Sequence, residues 1–154
     1  MKLYLVQHAK AAAKEVDPQR SLTEEGRRET EKVATFVRPL NPGIECIWHS
    51  GKKRAAQTAE LLVEAFAVKA ASLARQGLGP NDAVAPLAEE LAAADEEVMI
   101  VGHLPFLSKL ASLLLTGSES GDTVTFRNGG IVCLQLGEDK RWHICWVVTP
   151  DVLG

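Results

Sequence analysis

Short apolar runs alternate along this chain with stretches in which apolar residues recur every three or four positions. The first pattern is typical of buried strands, and the second of helices that bury one face. Strand-like runs begin at about residues 2, 44, 70, 98, 123, 130 and 142, and helix-like stretches cover about 23–38, 52–66, 82–94 and 105–115. Strands and helices therefore alternate up to about residue 115, after which strand follows strand.

This order of elements predicts an α/β fold with an open mixed sheet, mainly parallel at its centre, and helices on both faces. The 154 residues suit one domain, so we expect residues 1–154 to form a single unit. Asn128-Gly129 predicts a tight hairpin between the strands expected near residues 123–127 and 130–136.

Helical spacing also predicts which residues face the core. Asn81 or Asp82 is expected to cap the third helix. The expected inward faces are Val33, Phe36, Val37 and Leu40 on the first helix; Ala55, Ala59, Leu62 and Phe66 on the second; and Val84, Leu87, Ala88 and Leu91 on the third. The aromatic residues of the strand-like runs, Trp48, Phe126, Trp142 and Trp146, are expected in the core as well.

Composition narrows the class of protein. Hydrophobic residues make up 46% and charged residues 24%, which argues against a disordered or fibrous chain. The longest apolar run, residues 144–148, is too short for a membrane helix, and residues 3–6 are too short for the core of a signal peptide. We therefore expect a cytoplasmic protein that does not bind a membrane.

Charge and cysteine content argue against a nucleic-acid-binding protein and against a metal-binding one. The 17 basic residues face 20 acidic ones, giving a net charge of -3 that does not favour nucleic acid. Cys46, Cys133 and Cys145 lie in apolar runs without metal-ligand spacing, and the four histidines complete no zinc motif. Buried reduced thiols and no metal site are expected.

Three predicted strands end in a segment that carries a histidine: His8, His49 and His103. Ligands of open α/β sheets gather outside the carboxyl ends of the strands. Beyond His49, Ser50 is placed to cap the next helix, whose free backbone N–H groups together with Arg54 favour an anion. A phosphate-sized site is predicted here.

Four ordered segments carry a family resemblance. They are Leu-Tyr-Leu-Val-Gln-His-Ala at residues 3–9, Leu-Thr-Glu-Glu-Gly at 22–26, Ser-x-x-x-Arg-Ala-x-Gln-Thr-Ala at 50–59 and Gly-His-x-Pro at 102–105. The set resembles the histidine phosphatase superfamily, in particular its small SixA-type phosphohistidine phosphatases. The resemblance implies the fold of that superfamily and a phosphatase activity.

The resemblance also implies residue roles. His8 matches the nucleophile that takes the phosphoryl group, Arg54 a phosphate-clamping arginine, and His103 the second histidine against the phosphoryl oxygens. Asp17 and Arg20 fall in the loop that offers a candidate proton donor and a further cation. A neutral imidazole is a competent nucleophile near neutral pH, and this chemistry requires no metal or cofactor.

One position departs from the family pattern. Gln7 stands where the family has an arginine directly before the nucleophile. A glutamine amide is neutral and cannot replace a bidentate charged donor, and the loss of such a donor typically slows a reaction by about 10²–10³. Replacement charge could come from Arg20 or from the nearby lysines at positions 10, 52 and 53.

The short connection between the second helix and the fourth strand leaves little material for a lid. An open site favours a phosphohistidine-bearing protein of the phosphorelay or phosphotransfer type as substrate, and so a role in signal transduction. Two alternatives stay open. The chain could be a phosphate- or phosphoprotein-binding module that lost turnover with Gln7, or a small-molecule phosphomonoesterase with Asp17 as its acid.

Overall fold

The computed structural model describes every residue from 1 to 154. Short 3-10 turns follow the first helix and the last strand, at Arg38–Leu40 and Pro150–Leu153. The main elements are, in chain order, β1 (Lys2–Gln7), α1 (Glu24–Val37), β2 (Cys46–His49), α2 (Lys53–Ala65), β3 (Leu73–Ala74), α3 (Ala85–Ala92), β4 (Val98–Gly102), α4 (Phe106–Thr116), β5 (Ile131–Leu136) and β6 (Trp142–Val148).

The six strands form one mixed sheet in the order β3-β2-β4-β1-β5-β6. The first four strands of this order run parallel, whereas β5 and β6 pair antiparallel with their neighbours. This confirms the predicted fold class. In the register of the parallel strands Gln7 lies opposite Gly102, and His49 lies opposite Val101. The three histidine-bearing strand ends therefore meet at one edge of the sheet.

Helices cover both faces of the sheet because the central strands are apolar on both sides. Leu5 faces the cluster under α3 and α4, and the next residue, Val6, faces the cluster under α1 and α2. Both side chains are fully buried. Truncation of either to alanine is expected to lower the free energy of unfolding by about 1–4 kcal/mol. β1 thus ends in a rigid position between two cores.

The start of α1 is docked against the loop that follows β1. Thr23 caps the helix by accepting a hydrogen bond from the Gly26 N–H at 2.9 Å, and its own N–H donates to the Lys10 carbonyl at 2.9 Å. A Cβ at Gly26 would collide with that same carbonyl. A glycine is therefore required where the helix meets the loop.

The hairpin predicted at Asn128-Gly129 is wrong, and residues 123–127 form no strand. Instead the segment crosses the end of β1. The Gly129 N–H donates to the Gln7 carbonyl at 2.9 Å, and the Asn128 side chain donates to the carbonyl of His8 at 2.8 Å. These bonds to a distant strand replace the local pairing that a hairpin requires.

Several expected inward positions lie elsewhere. Phe36 is 54% exposed although it lies within α1, because the buried face of that helix is formed by Thr30, Val33, Ala34 and Val37. Leu40 is 55% exposed, since the chain leaves the helical path at Arg38. Asp82 does not cap α3, because its carboxylate accepts from the Gly79 N–H and α3 begins only at Ala85.

The remaining differences concern the expected core. Phe66 and Ala88 are only half-buried, as are Trp48 and Trp146, and of the cysteines Cys133 alone is buried while Cys145 is exposed. The predicted positions Val33, Val37, Ala55, Ala59, Leu62, Val84, Leu87, Leu91, Phe126 and Trp142 are buried. None of the helices has the length and apolar character needed to cross a bilayer.

Candidate active site

The backbone around His8 is held from three directions. The His8 N–H donates to the Gly102 carbonyl at 3.0 Å, and the His8 carbonyl accepts from the Asn128 amide. One residue further on, the Ala9 N–H donates to the hydroxyl of Thr58 at 3.0 Å. Because these partners belong to β4, to the segment before β5 and to α2, the position of His8 is fixed by the tertiary fold.

The ring of His8 has one nitrogen bonded to the protein and one without a partner. Its Nδ1 lies 2.7 Å from the Ala9 carbonyl oxygen, which can only accept, so Nδ1 carries the proton and Nε2 keeps its lone pair. The pKa of His8 is lowered to about 4, chiefly by burial; the Ala9 hydrogen bond opposes this shift, and the positive charges of Arg54 and Arg20 add to it. The imidazole is therefore neutral at neutral pH.

His103 follows β4 and faces His8, with ring centroids 5.1 Å apart. It is 2% exposed, and its Nε2 lies 2.6 Å from the Ser50 hydroxyl. Its Nδ1 is buried and has no hydrogen-bond partner. Burial lowers the pKa of His103 to about 3, with smaller contributions from His8, Arg54 and other nearby cations.

Arg54 lies in the first turn of α2, and its Nε is likewise buried without a partner. Burial lowers the pKa of Arg54, as does the charge of Arg20. The Arg54 carbonyl accepts from the Thr58 hydroxyl at 2.8 Å. Unpaired buried polar atoms are rare in folded proteins and indicate a missing partner. Beside two cations, that partner is an anion.

Arg20 belongs to the loop between β1 and α1. It has a left-handed backbone conformation with φ of 53°, and its Nε donates to the Ala12 carbonyl at 3.1 Å. Its charge lowers the pKa values of His8 and His103, which places it within electrostatic reach of both rings.

Asp17 closes a turn in the same loop. Its carboxylate oxygens accept from the backbone N–H groups of Gln19 at 3.0 Å and Ser21 at 2.9 Å. Hydrogen bonds from Ser21, and then from Gln19, hold the pKa of Asp17 below its usual range. An ionised carboxylate with its oxygens engaged is a poor proton donor.

The lysines near the site differ in how they are used. Lys10 is paired with Glu25 at 2.9 Å and with Glu29 at 3.4 Å, and the ammonium of Lys53 donates to the side chain of Gln19 at 3.0 Å. Lys52, at the start of α2, contributes to lowering the pKa of His103. Of the cations considered as replacements for the charge missing at Gln7, Arg20 therefore acts on both histidines, whereas Lys52 acts on His103 alone.

His49 is buried at the same edge of the sheet but has another role. Its Nδ1 accepts from the Gly51 N–H at 3.0 Å and so closes the turn before α2. Gly51 has φ of 91°, which accounts for the glycine at this position. One of the three strand-end histidines is thus a structural residue.

The expected helix cap at Ser50 is wrong, because α2 begins at Lys53 with Lys52 in the capping position and no side-chain cap. The Ser50 hydroxyl instead accepts from the Lys52 N–H at 3.3 Å and bonds to His103.

Two residues that position His8 were not identified from the sequence. Thr58 lies one helical turn beyond Arg54 and so shares its face of α2, which is a signal that could have found it. Asn128 is separated from His8 by 120 positions, and nothing in its local sequence marks the contact. No group of three or more histidine, cysteine, aspartate or glutamate side chains is placed to hold a metal ion.

Comparison with known proteins agrees with this geometry. The family model described as the histidine phosphatase superfamily (branch 1) matches residues 3–75, which include His8, Arg20 and Arg54. An uncharacterized protein of Picosynechococcus sp. is 32% identical over 144 residues, covering 89% of this chain and 86% of the relative. This protein belongs to the histidine phosphatase superfamily.

Solved structures extend the likeness over the whole chain. A tungstate complex of the protein histidine phosphatase SixA superposes with a TM-score of 0.88 at 23% identity, covering 100% of both chains. A mycobacterial glucosyl-3-phosphoglycerate phosphatase in complex with VO3 gives a TM-score of 0.71 at 19% identity, covering 94% of this chain and 97% of its own. The histidine phosphatase fold therefore includes β4 and His103, beyond the matched segment.

Proposed function

We propose that this protein is a phosphohistidine phosphatase, which removes the phosphoryl group from histidine side chains of proteins through a phospho-His8 intermediate. One observation carries the proposal. A neutral His8 with a free Nε2 lies in the same site as two buried nitrogens that have no hydrogen-bond partner, Nε of Arg54 and Nδ1 of His103. A phosphoryl group between them would supply the missing oxygen acceptors while its phosphorus meets the nucleophile.

The reaction proceeds in two displacements. The lone pair on His8 Nε2 forms a bond to phosphorus while the bond from phosphorus to the substrate imidazole breaks and returns its electron pair to that nitrogen. Water then attacks the phosphorus of phospho-His8, Nε2 recovers its electron pair, and inorganic phosphate leaves. Arg54 and Arg20 stabilise the charge on the equatorial oxygens in both steps.

The state of Asp17 favours a phosphorus–nitrogen bond over an ester as the target. A phosphohistidine protonated on its other ring nitrogen leaves as a neutral imidazole, whereas an ester expels a far more basic alkoxide and requires a proton donor. Asp17 is held ionised by its own loop. The proposed substrate is therefore a phosphohistidine protein of a phosphorelay or phosphotransfer system, in the cytoplasm.

Gln7 favours one alternative, a phosphate- or phosphoprotein-binding module without turnover. The likeness to a glucosyl-3-phosphoglycerate phosphatase favours a second, a small-molecule phosphomonoesterase. The binding module would keep the anion site but form no phosphoenzyme. The phosphomonoesterase would need a proton donor that the bonded Asp17 carboxylate does not readily supply.

Phosphate release separates the three functions. The substrates are a phosphohistidine-bearing phosphotransfer protein, phosphoramidate and the alkyl ester phosphoserine, each tested with the native chain and with His8→Ala. We expect release from the first two and little from the ester, with all release lost in His8→Ala. Phosphate binding without release would favour the binding module, and preferential ester hydrolysis the phosphomonoesterase.

A further inference from the structure

The Ser50 hydroxyl makes two contacts that together favour one position for its proton. It accepts a hydrogen bond from the Lys52 backbone N–H at 3.3 Å, and it lies 2.6 Å from Nε2 of His103. A backbone N–H can only donate, so the hydroxyl oxygen is the acceptor in the first contact. Its own proton is then free for the second, in which Nε2 accepts.

The opposite assignment leaves more groups unsatisfied. If Nε2 carried the proton, the Ser50 oxygen would accept twice and its O–H would lose its partner. Nδ1 of His103, which is buried and unpaired, would then present a lone pair. A lone pair on that nitrogen would repel the oxygens of any anion bound between His103 and Arg54, whereas an N–H would bind them.

We infer that Ser50 is a positioning residue that holds neutral His103 as the Nδ1–H tautomer and so turns its buried nitrogen into a hydrogen-bond donor for a phosphoryl oxygen. The inference rests on the proposed function for its consequence in catalysis. The tautomer itself is a property of the free protein.

The two histidines of the site then carry their protons on the same ring atom with opposite results. In His8 the Nδ1 proton is bound by the Ala9 carbonyl, which leaves Nε2 free as the nucleophile. In His103 the Ser50 hydroxyl occupies Nε2, which leaves the Nδ1 proton free as the donor. Each ring has one nitrogen committed to the protein and one available to the phosphoryl group.

The test combines Ser50→Ala with the conservative variant Ser50→Thr. Ser108→Ala is the matched control, because Ser108 is also half-buried but bonds only weakly, to Asp122 at 3.4 Å. Ring nitrogen chemical shifts of His103, from ¹⁵N-labelled free protein, report the tautomer. Titration with inorganic phosphate reports anion affinity, and hydrolysis of phosphoramidate gives kcat and KM.

In the native chain we expect a protonated Nδ1 and an unprotonated Nε2 on His103. Ser50→Ala should move the proton towards Nε2 and weaken phosphate binding about tenfold, the loss of one hydrogen bond of about 1.4 kcal/mol. Ser50→Thr should retain the native tautomer and affinity, and Ser108→Ala should leave both unchanged.

Two results would overturn the inference: a native His103 protonated on Nε2, or a Ser50→Ala protein whose His103 tautomer is unchanged. Failure of the proposed function would appear differently. The native chain would then not hydrolyse phosphohistidine, while the ring shifts and the phosphate titration would still report on Ser50.

Discussion

His8 and His103 differ from His49 although all three are buried at the carboxyl edge of one sheet. The Nδ1 of His49 accepts from Gly51 two residues away and closes a turn. The other two rings face each other, and each keeps one nitrogen without a protein partner, beside Arg54 and Arg20.

The Nε2 of His49 likewise has no hydrogen-bond partner, so the difference lies in the charges around each ring. Burial lowers the pKa of all three histidines, but Arg54 and Arg20 lower it further at His8 and His103, whereas Glu60 opposes the lowering at His49. A buried strand-end histidine that faces a second imidazole among cations can serve an anionic ligand, whereas one that closes a local turn beside a carboxylate stabilises the fold. The pair also lies in a locally positive environment within a chain of net charge -3.

The largest expected effect comes from replacing one histidine of each kind with alanine. His8→Ala removes the proposed nucleophile and should lower kcat for phosphoramidate hydrolysis by at least about a thousandfold. His49→Ala, measured well below its own melting temperature, should stay within about threefold of the native rate. Comparable losses in both variants would break the distinction.

Arg54→Gln should be the next most damaging change. It removes a charged donor whose Nε has no other partner, and we expect kcat/KM to fall by about 10²–10³. Lys53→Gln is the control, since its ammonium already bonds to Gln19, and it should change kcat/KM by no more than about twofold. Equal losses in the two variants would indicate a diffuse field and not a specific clamp.

Gln7→Arg should raise kcat/KM by about tenfold, because it adds a bidentate charged donor next to the nucleophile. Combining it with Arg20→Gln completes a double-mutant cycle. We expect Arg20→Gln to be more damaging in the native chain than in the Gln7→Arg chain, since Arg20 supplies the charge that Gln7 lacks. Additive effects would argue against that compensation.

A further expected effect is on stability as a function of pH. Burial lowers the pKa values of His8 and His103 to about 4 and about 3, whereas in the unfolded chain they stay near ~6.5. Between these limits the unfolded state binds more protons, so the free energy of unfolding should fall as pH falls below about 6.5. The expected slope is at most about 1.4 kcal/mol per pH unit for each histidine.

Urea denaturation between pH 7.5 and pH 5 measures that slope. A variant that carries both His8→Asn and His103→Asn should have a flatter dependence than the native chain. An unaltered dependence would mean that other groups, His49 among them, determine the acid sensitivity.

The elements and the core of the site followed from local patterns in the sequence. Runs of apolar residues placed His8 and His103 at strand ends, and helical spacing placed Arg54 in a first turn, because these features depend on neighbours a few positions away. The sheet topology brought them together. The spacing could not distinguish His49 from the other two, since the distinction depends on which charged groups the fold brings beside each ring.

The features that were not predicted from the sequence depend on hydrogen-bond partners far along the chain. Asn128-Gly129 has the composition of a tight turn, yet its polar groups bond to the end of β1. The Ser50 side chain has the composition of a cap, yet it reaches across to His103, 53 positions away. In both cases a tertiary hydrogen bond prevailed over a local preference.

The three-sided attachment of the backbone at His8 and Ala9 has a consequence for how this protein tolerates sequence change. Its anchors lie on β4, on α2 and in the segment before β5, so substitutions in three separated stretches of the chain converge on one imidazole. Substitution of Thr58 or Asn128 is expected to lower activity more than it lowers stability. Natural variants that lose function are expected to cluster at these anchors as well as at the residues proposed to contact the phosphoryl group.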